Sequence, residues 1–227
     1  LLIKAHHGMI VLDAADEQRA DVLFEYVADR MRLPFFVWKD GIGLSRIAPG
    51  MRPIMGTETL IGCLKHIGAA GIDALYQLKG IDPYYGDAAV VARLKELTQR
   101  FLHSLSALLL SASSPVLPEP LRDLATLVEL APPTPEEYYD YMRALVRDVG
   151  SRTPISVTLS TEDMQRLLAT VQGLTYLELK KVMTQAMLDD GILDQGVFES
   201  VLGAKRAVVE RTGVLELYQL GFDPVYE

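Results

Sequence analysis

The chain has 227 residues, 49% hydrophobic and 23% charged, with a mean hydropathy of +0.17; that composition folds and excludes intrinsic disorder. Lys and Arg total 22 against 30 Asp and Glu, a net charge of −8, and without a basic block the chain is unsuited to nucleic acid or an anionic membrane surface. The single cysteine excludes an internal disulfide framework and fits a reducing compartment, and no apolar stretch approaches the roughly 20 residues of a membrane-inserting helix.

Met9–Leu12 is a short β-like run. Asp16–Leu33 follows as a helix, with Leu23, Phe24, Val27 and Met31 at helical spacing and Pro34 as its stop. Phe35–Trp38 is a second, aromatic strand. The Gly- and Pro-rich stretch from Asp40 to Gly56 reads as a loop. It is long for a compact domain, and so is either functional or contains a further element. Thr57 is the expected N-cap of a helix carrying Leu60, Ile61, Leu64 and Ile67 and ending at Gly71. Ala74–Leu78 is a third strand. Asp87–Leu105 is a longer helix with Val90, Val91, Leu94, Leu97 and Phe101 on one face. Ala107–Ala112 is apolar on both faces, as the centre of a parallel sheet requires. Leu121–Leu124 reads as a turn of helix, Thr126–Leu130 as a fifth strand and Ala131–Pro135 as a hinge.

Beyond the hinge the β signal stops. Thr134 caps a helix over Pro135–Val149, with Pro at its first position and Glu137 at its third. Ser160–Val171 is a helix with Met164, Leu167, Leu168 and Val171 inward. Thr175–Glu178 is a capping box opening a helix to Asp190, closed by Gly191, and Asp194 opens a last helix reaching Thr212. Five strands alternating with helices, then a helical tail, predict an α/β fold: a doubly wound five-stranded parallel sheet followed by a small helical subdomain. The boundary falls at the Pro132–Pro135 hinge or just after Gly150; the division adopted is 1–150 and 151–227. The chain starts at Leu1 without an initiator Met, so it reads as a piece of a longer protein.

Ligands on such sheets bind at the carboxyl ends of the strands. The first strand ends in Asp13-Ala14-Ala15-Asp16-Glu17, with none of the glycines or the lysine of a phosphate cradle. Asp16 as helix cap and Glu17 as complement to the helix dipole is the simpler reading; an acidic Mg²⁺ site of Asp13, Asp16 and Glu17, in a sensor or enzyme, is the alternative. The third strand ends in Tyr76-Gln77-Leu78-Lys79-Gly80, which offers neither the phosphoacceptor Asp of a receiver domain nor the acids of ATP hydrolysis. Gly41-Ile42-Gly43 follows the second strand rather than the first and leads to Pro49 and Pro53, so it reads as loop. Arg46 and Arg52 in or beside it are candidates to contact a neighbouring subunit's ligand. Cys63 and His66 lie one helical turn apart without a second pair to complete a zinc site. Ser111, Ser113 and Ser114 lack the glycines of a nucleophile elbow. The tyrosines at 84, 85, 138, 139 and 141 read as packing residues in so acidic a chain.

The order of parts, five β/α units, a Pro-rich hinge and a helical lid, resembles an AAA-type ATPase core. More closely, it resembles the amino-terminal region of an AAA family of cyanobacteria, algal chloroplast genomes and scattered other bacteria. The similar stretches are Leu2–Leu12, Leu33–Trp38, Ala74–Lys79, Leu108–Pro118, Val128–Glu137 and Gly173–Leu217. The tail Arg211-Thr212-Gly213-Val214-Leu215-Glu216-Leu217-Tyr218 resembles the linker that precedes a second, complete AAA module in that family. The resemblance implies a P-loop NTPase-like fold without the P-loop, in a parent that uses ATP and Mg. Tyr176 and Leu177 stand where the lid's arginine would be sought.

This chain is therefore expected to be non-catalytic and to need no cofactor itself. It would act in assembly, partner recognition or regulation of the downstream module. Its partners are proteins or that module, with homo-oligomers in the full-length form, no nucleic acid and no membrane insertion, in the cytoplasm or plastid stroma. The alternative is a non-standard nucleotide site, to which Arg46, Arg52, Lys79 and Arg93 are the available contributors.

Overall fold

The computed structural model describes residues 1–212. Its first unit, Leu1–Ala131, runs β1 (Met9–Asp13), α1 (Glu17–Met31), β2 (Phe35–Lys39), β3 (Gly43–Arg46), α2 (Leu60–Ala69), β4 (Leu75–Leu78), α3 (Ala88–Phe101), β5 (Ala107–Ala112), α4 (Glu119–Arg122) and β6 (Ala125–Glu129). The sheet order is β3-β2-β4-β5-β1-β6. Every neighbouring pair is parallel except β2 and β3. The expected five-stranded parallel sheet is thus a mixed, mostly parallel sheet of six strands.

The added strand, β3, lies inside the stretch read as a loop. Gly41 and Gly43, with φ of 69° and 99°, turn the chain back from Lys39. Leu44 is fully buried and anchors the four-residue strand. Thr57 closes its outer edge: the Thr57 hydroxyl accepts from Leu44 N at 2.8 Å and donates to the Ile54 carbonyl at 2.5 Å. The Thr57 carbonyl accepts from the indole of buried Trp38 at 2.8 Å. Thr57 is therefore a clasp on the hairpin and not the α2 cap. That cap is Thr59, whose hydroxyl accepts from Gly62 N.

Apolar spacing places two helices on one sheet face and one on the other. Trp38, Leu64, Leu94 and Leu108 belong to the core under α2 and α3. Ile10, Phe24, Val37 and Leu109 form the core under α1. Asp16 caps α1 and Asp87 caps α3, each accepting two backbone N–H groups.

The second unit starts at Pro132. It comprises α5 (Pro135–Gly150), β7 (Ser156–Val157), α6 (Thr161–Val171), α7 (Tyr176–Asp190), β8 (Ile192–Leu193) and α8 (Val197–Thr212). Capping boxes open α5, α6 and α7 at Thr134/Glu137, Ser160/Asp163 and Thr175/Glu178. Tyr138, Met142, Leu167, Leu179 and Met183 form its own core. Helix α5 packs into this core, so the chain divides between Ala131 and Pro132 rather than after Gly150. The helical tail also contains the short parallel pair β7–β8, too brief to register as a periodic signal. The last helix begins at Val197, with Asp194 accepting from Gly196 N in the preceding turn. The linker-like residues from Gly213 onward lie outside the described residues.

Candidate functional site at the carboxyl edge of the sheet

The carboxyl ends of β1, β4 and β5 open onto a cleft of about 990 Å³ lined by Ala14, Glu17, Lys79, Tyr85, Ser113 and Ser114, among others. This is where a doubly wound sheet places a ligand. The segment joining β1 to α1 is only Ala14-Ala15-Asp16 and has no glycine. Asp16 is buried, and one of its oxygens accepts from Gln18 N at 3.1 Å and Arg19 N at 3.3 Å. Those are the donors that a helix N-terminus would otherwise offer to an anion. At the end of β1, the Asp13 carboxylate accepts from Ser114 N at 2.9 Å, and Ser114 adopts φ 52°.

Lys79 follows β4 directly and reaches across to α1. Its ammonium pairs with Glu17 at 3.1 Å and with Asp21 in a shorter contact. The Gln77 amide, buried in β4, donates to the other oxygen of Asp21 at 2.7 Å. The polarity of the edge is thereby reversed relative to a phosphate-binding one. The lysine comes from the strand that would carry the metal-binding acid, and the acids come from the helix that a lysine-bearing loop would open. Tyr85 forms part of the wall, and burial pushes its phenol up to about 12. Beside it, Tyr84 meets Trp38 edge-on at 6.2 Å, and a hydrogen bond to Asp40 raises its phenol above the ordinary value.

Of the sequence candidates, only Lys79 and Glu17 meet here. Asp13 and Asp16 are engaged with backbone donors, and among the described residues no group of three His, Cys, Asp or Glu is placed to hold a metal. Arg46 and Arg52 are exposed on β3 and the stretch after it, and Arg93 pairs with Glu96 at 2.7 Å on α3. None of the three arginines lines the cleft. Cys63 is buried in α2, which pushes its thiol up to about 12, far from reactive. Sequence reasoning missed Asp21, whose only signal was a helix position one turn from Glu17. A triphosphate in this cleft would face Glu17 and Asp21 and find two helix donors already taken, so these residues do not fit a nucleotide's phosphate chain.

Residues 1–130 match the family described as the N-terminal domain of SpoVK-like AAA ATPases, and residues 136–212 match the second domain of the same family. An uncharacterized AAA domain-containing protein ycf46 of Trieres chinensis is 20% identical over 226 residues, covering 97% of this chain and 43% of the relative. The ycf46 protein of Gracilaria tenuistipitata var. liui is 22% identical over 148 residues, 65% of this chain and 29% of the relative. The chain thus spans less than half the length of these relatives. Among solved structures, the FIGL-1 AAA domain in complex with ADP superposes with a TM-score of 0.58 at 13% identity, over 89% of this chain and 72% of that one. C. elegans PCH-2 gives 0.57 at 10% identity, over 92% and 64%. At such identities the likeness is one of fold. Among the described residues no helix is long and apolar enough to cross a membrane.

Proposed function

The chain belongs to the SpoVK-like AAA ATPase family, and from that premise we propose that it is a non-catalytic AAA-like module of a longer ATPase. It keeps the nucleotide-domain fold and works through assembly, partner recognition or regulation of an active module elsewhere in the protein. The observation that carries this reading is the reversed ion pair, Lys79 on Glu17 and Asp21, at the edge where phosphates would sit. In this reading the ammonium closes the cleft's acids internally, without cofactor. The ycf46 names of the algal relatives support a plastid setting.

The test is titration calorimetry of the chain with ATP and with ADP in the presence of Mg²⁺. The expected result is no binding heat for either. One-to-one binding that is lost in the Lys79→Met variant would overturn the reading and establish a phosphate site outside the usual loop.

A further inference from the structure

We propose that a second site, at the amino edge of the first unit's sheet, binds a primary ammonium group carried on an alkyl stem. The inference is independent of the nucleotide reading, because this edge lies at the opposite ends of the strands from the cleft around Lys79. Helices α2 and α3 both end here, at Ala69 and Phe101, beside the starts of β4 at Leu75 and β5 at Ala107. Between them is a pocket of about 140 Å³ lined by Ile67, Ile72, Asp73, Tyr76, Arg100 and Phe101, among others. That is below the roughly 300 Å³ at which pockets for whole small-molecule ligands begin, so it has room for an end group. Tyr76 is only 2% exposed, its ring stacked between Phe36 at 5.4 Å and Phe101 at 6.1 Å. Its hydroxyl nevertheless has no hydrogen-bond partner among the described residues. A hydroxyl orphaned on a buried side chain marks a position where a ligand's polar atom belongs.

The donors and acceptors left over in the pocket select the ligand. The Arg100 guanidinium is turned to the end of α2, donating to the Gly68 carbonyl and, at 3.0 Å, to the Ala70 carbonyl. Ser106 accepts from Ala74 N at 3.2 Å and donates to one Asp73 oxygen over a long 3.5 Å. The second Asp73 oxygen and the Tyr76 hydroxyl remain. Burial pushes the Tyr76 phenol up to about 12, with Arg100 opposing the rise and Cys63 and Asp73 adding to it. The phenol oxygen thus stays protonated near neutrality and stands among the pocket's charged walls. An ammonium has three donors and no acceptor. It can give one hydrogen to Asp73 and one to the Tyr76 oxygen, leaving the third to water, while its stem lies against Ile67, Ile72 and Phe101. The negative ends of the α2 and α3 dipoles favour a cation at the same place. An anion would face Asp73 and both helix ends.

The test is an NMR titration of the nitrogen-15-labelled chain with n-butylammonium chloride at constant ionic strength. The expected result is saturable shifts of the Asp73, Ala74 and Ser106 amides with a Kd in the millimolar range, as one paired charge on a short stem gives. Asp73→Asn should weaken binding about tenfold and Tyr76→Phe about threefold. The emission of buried Trp38 reports whether each variant is folded. The proposal is overturned if the shifts do not saturate by about 50 mM, if sodium chloride reproduces them, or if binding ignores both substitutions. Sodium butyrate binding more tightly than the amine would assign the pocket to Arg100 and an anion, and would also overturn it. Two further probes separate the sources of such a group. Tighter binding of 1,4-diaminobutane than of a blocked Gly-Lys-Gly peptide would support a free amine as the ligand, and the reverse order a lysine of a partner protein; both orders support the ammonium site.

Discussion

Lys79 has only 15% of its side chain exposed, against 37% for Asp21 and 63% for Glu17. Screening by water weakens the contact with Glu17 more than that with Asp21, which Gln77 also holds in place. Replacing Lys79 by Met leaves the two carboxylates facing each other without their cation and should cost about 1–3 kcal/mol of stability. In urea double-mutant cycles the coupling of Lys79 to Asp21 should exceed that to Glu17; equal couplings would mean that both pairs act as exposed ones. Thr57 is a second residue with several duties. Thr57→Val strips the hydroxyl from Leu44 N and the Ile54 carbonyl, at about 1–3 kcal/mol, and Thr57→Ser should recover most of that in the same denaturation assay. Neither role was legible in the sequence. Lys79 and Glu17 were each visible but Asp21 was not; Lys79 lies 58 positions from Asp21, and only the adjacency of β4 and α1 joins them. Thr57 had the sequence look of a cap because Thr59, two residues on, competes for the same description.

Elements defined by local chemistry were legible; elements defined by remote support were not. The boxes Thr134/Glu137 and Thr175/Glu178 need only a three-residue spacing, and they open α5 and α7 as expected. Strand β3, by contrast, reads Gly-Leu-Ser-Arg and exists because the Thr57 clasp and β2 hold it. Gly43 carries that hairpin. At φ +99° a Cβ there would stand 2.8 Å from the Thr57 hydroxyl oxygen, whereas a Cβ on Gly41 meets nothing within 4 Å. Gly43→Ala should therefore lower stability by about 1–3 kcal/mol and Gly41→Ala by about 1, as read by urea unfolding. The box on α6 predicts a pH effect. The Ser160 hydroxyl, with Gln195, holds the Asp163 carboxyl below its ordinary value. A folded-state pKa lowered in this way contributes stability above the ordinary carboxylate range and loses it as pH falls through the folded value. The gap in melting temperature between wild type and Asp163→Asn should accordingly be full near neutrality and shrink below about pH 4. A gap that is constant with pH would show that Asp163 acts through packing alone.

At the scale of the molecule, the Pro-rich hinge was the boundary signal, and assigning Pro135–Gly150 to the first part failed because a helix's amphipathic face does not say which core receives it. Tyr138, Met142 and Leu145 of that helix belong to the second unit's core. Both other cores, and every strand of the six-stranded sheet, lie before Pro132. The first unit is also closed at its own end: Leu130 N donates to the Asp13 carbonyl at 2.9 Å, and Arg19 reaches the Ala131 carbonyl at 2.7 Å. A chain of this size with complete cores and its last strand tied down has what an independent domain needs. A protein ending at Pro133, which keeps the Ala131 carbonyl in a peptide bond, should therefore fold alone. Trp38 is the single tryptophan and is fully buried in the first unit, so its emission follows that unit without contribution from the second. The truncated protein should show the same blue-shifted emission as the full chain and unfold cooperatively, with a midpoint within several degrees of it. Red-shifted emission at room temperature would mean that the first unit depends on the second for its fold, and that the two are one cooperative structure rather than two joined at a hinge.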